Sequence, residues 1–295
     1  MAMSKRHRIL IATDGSRSAE AALQTAVNFP WAASSRVRAV VARSSWLSPD
    51  PEAAREANTH DFETAAADAA RLTLARRWGK PDVVVLKEPP VDAILAEAER
   101  FKASVIVLGW RGHGTFRRLL AGSVSRSIAA RAPCPVLVVR EPARAVRRLV
   151  VGFDGCPNAE RALDLLCSLK PTRGSRAVLV NVVQPVSMPS SVSRLPTATR
   201  GHLQHELAAL NEKRHRQAQG TVDAGVARLK RAGWPATSDV RVGAPLASLL
   251  SAADDHRADV LVLGARATSG LERALLGSVA NGALNRSRVP VLLVR

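Results

Sequence analysis

Arg8-Ile-Leu-Ile-Ala-Thr-Asp-Gly-Ser16 returns 140 residues later as Arg148-Leu-Val-Val-Gly-Phe-Asp-Gly-Cys156, with Asp14 answered by Asp154. Each copy is a short apolar run halted by Asp-Gly, a pair that commonly turns a chain. Each leads into a similar helical stretch, Ser18-Ala-Glu-Ala-Ala-Leu23 and Asn158-Ala-Glu-Arg-Ala-Leu163, and both read as capped helix starts. Further on, Ala103-Ser-Val-Ile-Val-Leu-Gly109 is matched by Ala258-Asp-Val-Leu-Val-Leu-Gly264, and Pro135-Val-Leu-Val-Val-Arg140 by Pro290-Val-Leu-Leu-Val-Arg295. The chain is therefore a duplication. The spacing of matched residues grows to 155 at Gly109 and Gly264, so the second repeat holds an insertion. Its expected seat is Gln184 to Gly201, rich in Pro, Ser and Thr, which reads as an exposed loop longer than its counterpart Ser44 to Pro51.

Within the first repeat, short apolar runs alternate with helical patterns. Strands are expected over 8–13, 36–42, 82–87, 104–109 and 136–140, and helices over 17–29, 52–78, 91–102 and 122–131. Val105-Ile-Val-Leu108 has no polar alternation, as strands covered on both faces require, so the sheet should be parallel. Right-handed crossovers then give an α/β, doubly wound domain whose ligands bind beyond the C-terminal strand ends, where strand order reverses. A brief link around Glu141-Pro142-Ala143-Arg144-Ala145 separates domain 1–141 from domain 146–295.

The chain has 295 residues, enough for two domains, and 46% hydrophobic residues give each a core. No apolar run approaches the roughly 18 residues that span a bilayer. The apolar stretch near the N-terminus breaks too early for an export signal, so a soluble protein without membrane contact is expected. Cys134, Cys156 and Cys167 are an odd set without metal spacing and fit a reducing cytoplasm, as small packed hydrophobes. The formal charge of +18 divides evenly, +8 over residues 1–140 and +10 over 141–295. With no Tyr and five Phe, the stacking platforms of single-strand binders are scarce, so nucleic acid is an unfavoured partner.

The chemistry-bearing segment follows the fourth strand of the first repeat: Gly109-Trp-Arg-Gly112, nine residues, then Gly122-Ser123 opening a helix. Glycine permits backbone conformations and close approach that a Cβ obstructs. A helix start presents free N–H groups at the positive end of its dipole, which suits a phosphate. Ser123 and Ser125 offer hydroxyl donors, and Arg111, Arg117, Arg118 and Arg126 are candidate cations.

This pattern resembles the ATP-binding branch of the universal stress protein family, whose signature is Gly-x2-Gly-x9-Gly-Ser/Thr; Gly109, Gly112, Gly122 and Ser123 match it fully. The resemblance covers essentially the whole chain as two family domains, and takes in Thr13-Asp14-Gly15-Ser16 and Pro133-Cys134-Pro135-Val136. It implies two tandem open five-stranded parallel sheets of order 3-2-1-4-5. It also implies a nucleotide, ATP with Mg²⁺ as an accompanying ion, across the switch point. The nucleoside would lie by Ala12, Thr13 and Asp14, the base by Val41 or Ala42, and the phosphates by Gly109, Arg111, Gly112, His113, Gly122, Ser123, Val124 and Ser125. In the second repeat Asp154, Val182, Gly264, Gly277 and Ser278 keep the pattern, while Ala267 replaces the second glycine and Ala280 replaces Ser125, so a weaker site is expected there. Family members commonly pair through the edge strand near the Pro-Val run. The two repeats can do so within one chain as a pseudo-dimer, and a homodimer is a further implied assembly.

Plainer readings compete. Asp14 suits a turn or helix cap, Gly109 and Gly112 suit strand-to-helix punctuation, and Trp110 suits packing or a lid. His202 and His205 are helix neighbours without an evident third ligand. No Walker loop, metal-protease pattern or nucleophile elbow occurs, so binding is expected rather than catalysis, with slow ATP hydrolysis as a lesser option. The other function classes are a basic nucleic-acid or phosphoprotein module and a hydrolase of adenine nucleotides.

Overall fold

The computed structural model describes residues 6–42, 59–110, 122–143, 145–188, 196–265 and 276–295, with the side chains of 59–62 left aside. The first repeat runs β1 (Arg8–Thr13), α1 (Arg17–Asn28), β2 (Arg36–Ala42), α2 (Thr59–Trp78), β3 (Asp82–Leu86), α3 (Pro90–Arg100), β4 (Val105–Gly109), α4 (Ser123–Arg131) and β5 (Val136–Val139). The second runs β6 (Arg148–Gly152), α5 (Pro157–Ser168), β7 (Arg176–Val183), α6 (Thr197–Arg231), β8 (Ala236–Val242), α7 (Pro245–Asp255), β9 (Val260–Gly264), α8 (Ser278–Arg286) and β10 (Val291–Val294). Each repeat has the expected 3-2-1-4-5 order, but the two do not form separate sheets. They fuse into one ten-stranded sheet, β3-β2-β1-β4-β5-β10-β9-β6-β7-β8.

The fusion is an antiparallel pairing of β5 with β10, in which Leu137 faces Leu292; the other strand pairs are parallel. The last strand of a doubly wound domain is an open edge, and pairing two such edges removes both. Because the junction is antiparallel, the C-terminal strand ends of the two repeats lie at opposite margins of the sheet. Successive side chains of β1 alternate faces. Ile9 and Ile11 join a core with residues of α1, α2, α5 and α6, while Leu10 and Ala12 join one with residues of α3, α4, α7 and α8. Both cores contain residues of both repeats, so the inter-repeat boundary is apolar.

Polar contacts reinforce that boundary. Asn28 Nδ2 donates to Ala143 O (3.0 Å) and Ala143 N–H to Thr25 Oγ1 (3.1 Å), pinning the link onto α1. The Lys170 N–H reaches Pro30 O (3.2 Å), and the buried His7 ring sits 3.2 Å from Ser168 Oγ.

Two expectations need correction here. Ser16 caps α1 by accepting the Ala19 N–H (3.3 Å), but Cys156, at the matching place, gives α5 no side-chain cap, and Pro157 opens that helix instead. Within Gln184 to Gly201, Thr197 to Gly201 are helical, the first turn and more of α6. With 35 residues α6 is about 52 Å long. None of its residues from Thr197 to Gln217 is buried, whereas Ala218, Val222, Gly225, Val226 and Leu229 are. Straight-chain, helix-favouring residues in that N-terminal half let the helix continue past the sheet. The part of the expected 52–78 helix before residue 59 lies outside the described residues.

At the outer edge of the second repeat, Arg241 binds Asp239 (2.9 Å) and Asp255 (2.8 Å), and His256 Nε2 lies 2.9 Å from Asp239. Burial pushes the Asp239 carboxyl up, but the bonds from His256 and Arg241 outweigh it and hold it below its ordinary value. A depressed folded-state value stabilises the fold above the unfolded carboxylate value near pH 4, and that contribution fades as pH falls through the lower folded value. Asp239→Asn should therefore lower stability at pH 6 and reduce its loss on acidification below pH 4, as read by urea melts at several pH values.

Candidate functional site

Strands β1 and β4 lie side by side and parallel, with Ala12 opposite Leu108, so the chain crossings depart to opposite faces between them. Beyond β1 the chain turns at once. Ser16 N–H donates to Asp14 Oδ1 (3.0 Å), Gly15 N–H donates to Thr13 Oγ1 (3.2 Å), and Gly15 takes a left-handed φ of 72°. Asp14 is thus a turn organiser, and it is half-buried at the margin of the sheet. Asp154 repeats the bond to Cys156 N–H (3.0 Å) but is exposed. Thr13, Val41 and Ala42 are buried strand ends, and Val182 is half-buried.

Gly109 ends β4 against the first turn of α1. A Cβ there would lie 2.6 Å from the carbonyl carbon and Oγ of Ser18 and 2.7 Å from its carbonyl oxygen. Gly264 meets Ala159 N at 2.7 Å and the Asn158 carbonyl carbon at 2.8 Å in the same way. Both glycines serve strand-to-helix packing, the plainer of the two readings.

Trp110 continues the β4 pairing, its N–H donating to Val139 O (2.7 Å), and then buries its indole. The ring reaches Gly122, where a Cβ would sit 2.9 to 3.1 Å from three ring carbons. Gly122 has φ 82° and ψ 19°, a left-handed conformation that L side chains avoid, and it opens α4. Ser125 Oγ lies 2.9 Å from Trp110 O and 3.1 Å from Gly122 O, donating between these two carbonyls. Trp110 and Gly122, the described ends of the segment, are therefore brought together. The hydroxyl of Ser125 is buried and ties the loop ends, which corrects its expected role as a phosphate donor. Ser123 is exposed and Val124 half-buried.

The helix start itself has the character an anion requires. Among the described residues no side chain caps α4, and its first turn holds no acidic residue, so the dipole at its start is not offset by a carboxylate of the helix itself. Arg126 lies one turn in, 6.0 Å from the Trp110 ring centre. Arg111, Gly112, His113, Arg117 and Arg118 lie outside the described residues, as does Ala267. Among the described residues no group of three or more His, Cys, Asp and Glu is placed to hold a metal ion; His202 pairs with Glu206 at 3.6 Å.

The second repeat builds its counterpart differently. Ala265 stands where Trp110 does, and its carbonyl accepts from Asn158 Nδ2 of α5. Gly277 is extended, with φ −58° and ψ 154°, and Ala280 has no hydroxyl to tie the ends. Ser278 is exposed at the start of α8.

The sequence profile of the Universal stress protein family matches residues 5–140 and again 145–295. The chain belongs to the universal stress protein family. Its two matched stretches make it a tandem member with two family domains. A universal stress protein of Mycobacterium tuberculosis is 30% identical over 200 residues, 66% of this chain and 62% of that protein, so the match spans under two thirds of that relative's length. One of Thermus aquaticus is 38% identical over 136 residues, 45% of this chain and 97% of that protein. The crystal structure of a universal stress protein of Archaeoglobus fulgidus, 19% identical, covers 99% of this chain and 97% of its own with a TM-score of 0.65, a likeness of fold.

The structure places beside the candidate site residues that the glycine spacing did not single out. Ser18 and Asn158 abut the β4 and β9 ends, and Arg140 stacks over Trp110 with its guanidinium carbon 4.5 Å from the ring centre. The available signal was the matched Val-Arg ending of each repeat, Arg140 and Arg295.

Proposed function

We propose that this protein is a regulatory nucleotide-binding member of its family, holding ATP at the switch point of the first domain and more weakly in the second. The observation that carries the reading is the start of α4: a left-handed Gly122 and an uncapped helix N-terminus set directly beyond β4, next to the strand end that bears Asp14. Phosphoryl oxygens would accept from the N–H groups of Ser123 and Val124, and Ser123 would add its hydroxyl. Asp14 would stand by the nucleoside or a Mg²⁺ ion. The absence of a nucleophile or general-base motif in the sequence favours binding over turnover. On this reading the β5–β10 pairing would let one chain act as a pseudo-dimer of its two domains.

Three free cysteines suit a reducing cytoplasm, and burial pushes the Cys134 thiol up to about 12, which makes it a packing residue. No helix among the described residues is long and apolar enough to cross a membrane.

Mass spectrometry of gently released small molecules from freshly purified protein should find an adenine nucleotide. Gly122→Val tests the site. A β-branched residue at φ 82° costs about 1–2 kcal/mol of strain and displaces the Trp110 ring. ATP affinity by calorimetry should drop at least tenfold, a change on the order of 1.4 kcal/mol, while the far-ultraviolet dichroism stays. Unchanged affinity would remove this site from consideration.

A further inference from the structure

The first domain's loop start is braced by the second domain. Arg140, just past β5, sends its guanidinium two ways. Nη2 donates to Leu284 O (2.5 Å) and Asn285 O (2.8 Å), carbonyls in the last turn of α8, while the guanidinium plane covers the Trp110 ring at 4.5 Å. The other side of the chain of contacts is equally direct. The same indole packs on Gly122, and Ser125 ties the Trp110 and Gly122 carbonyls together. A cation at a helix C-terminus is favoured by the dipole, and a cation on an indole by the ring's quadrupole, so both contacts draw Arg140 to one place.

We propose that Arg140 is the positioning residue of the first domain's site: anchored on the final carbonyls of α8, it clamps Trp110 against Gly122 and so fixes the start of α4, which makes anion binding in domain 1 depend on domain 2. This rests on the nucleotide reading above for its ligand, but its structural half stands without one. The device is one-sided. The second repeat has Ala265 for Trp110 and Ala280 for Ser125, so the indole and the hydroxyl tie of this device are not repeated there. An ordered first site and a looser second one follow from that difference in addition to Ala267. Reciprocity requires that a ligand in domain 1 tighten the last turn of α8 by the same factor by which α8 helps the ligand.

The test uses the full chain in two forms, wild type and Arg140→Met, which retains the apolar stem but loses both the cation and the donors. The Arg140→Lys form supplies a charge without the planar fork. Amide hydrogen exchange without nucleotide comes first. Arg140→Met should speed exchange at residues 126–129, the first hydrogen-bonded amides of α4, at least threefold relative to wild type, leaving the β1–β2 amides unchanged, and Arg140→Lys should restore this only in part. Calorimetry with Mg²⁺-ATP comes second, with a five- to thirty-fold affinity loss expected for Arg140→Met, the span of a displaced cation–π contact. In wild type, ATP should also slow exchange at residues 284–286, and in Arg140→Met it should not. If wild type binds no ATP, the nucleotide reading falls, and the brace is judged by the ligand-free exchange alone. Unaltered exchange at residues 126–129 in Arg140→Met overturns the proposal, whatever the affinity. Altered exchange with unaltered ATP affinity also overturns it, because the brace then does not serve the site.

Discussion

Gly109→Val should destabilise the first domain by about 3 kcal/mol, a cost at the upper end of overpacking, and should do so with or without nucleotide. The new side chain would begin 2.6 Å from the Ser18 carbonyl carbon, and backbone on both sides must part to admit it. A flexible side chain could swing away, but the first turn of α1 is held by the Ser16 cap and by its place on β1 and β4. Gly264→Val should behave alike against Asn158 and Ala159. Urea unfolding of each variant checks this, and an equally stable Gly109→Val protein would refute the packing account. A practical consequence is that lost ligand binding in a Gly109 variant reports on the fold. Gly122, whose neighbour is the far end of an indole, is the cleaner probe of the site.

Arg38→Met should cost on the order of 3 kcal/mol, because it breaks a buried ion pair from one side. Glu97 is 2% exposed, and Arg38 reaches it at 2.5 Å while also binding Asp82 and lying 4.8 Å from the Phe101 ring centre. Burial alone would lower the Arg38 pKa, yet the bonds to Glu97 and Asp82 raise it overall, so the charged form is the one the fold selects. Arg100 also touches Glu97, at 3.0 Å, but is largely exposed and is screened by solvent. The Glu97→Leu change added to Arg38→Met should return more than half of the loss, since the buried carboxylate, left with the solvent-screened Arg100, is then gone. Failure of the double variant to recover would place the cost in lost packing on Phe101 instead.

Much of this architecture is written in local signals. The uninterrupted apolar runs Ile9–Ala12 and Val105–Leu108 end at Asp-Gly and at Gly, and those endings place the strand termini within a residue or so of where the structure has them. Duplication gave the second domain from the first, and the family resemblance supplied the expectation of paired edge strands. What the sequence left out depends on contacts between distant residues. No local rule distinguishes a glycine needed by a phosphate from one needed by Ser18, because both want a missing Cβ. Ser125 has the right hydroxyl for a ligand, and only the fold shows it turned between two carbonyls 15 and 3 residues back. The extra residues of the second repeat looked loop-like from Pro, Ser and Thr, yet Thr197 to Gly201 extend a helix, since helix length is limited by where a stop signal falls and none lies in that stretch after Pro196. Arg140 was visible as a repeat-end residue, but its bond to α8 spans 144 positions and emerges only from the antiparallel closure of β5 on β10.

The central claim, that the start of α4 in the first domain cradles phosphoryl groups, is met most directly by amide chemical shifts of ¹⁵N-labelled full-length protein titrated with Mg²⁺-ATP. The largest and saturable movements should fall on Gly122, Ser123, Val124 and Ser125, with smaller ones at Ser278 and Val279. Saturation with those amides unmoved, or with the second domain responding first, would contradict it.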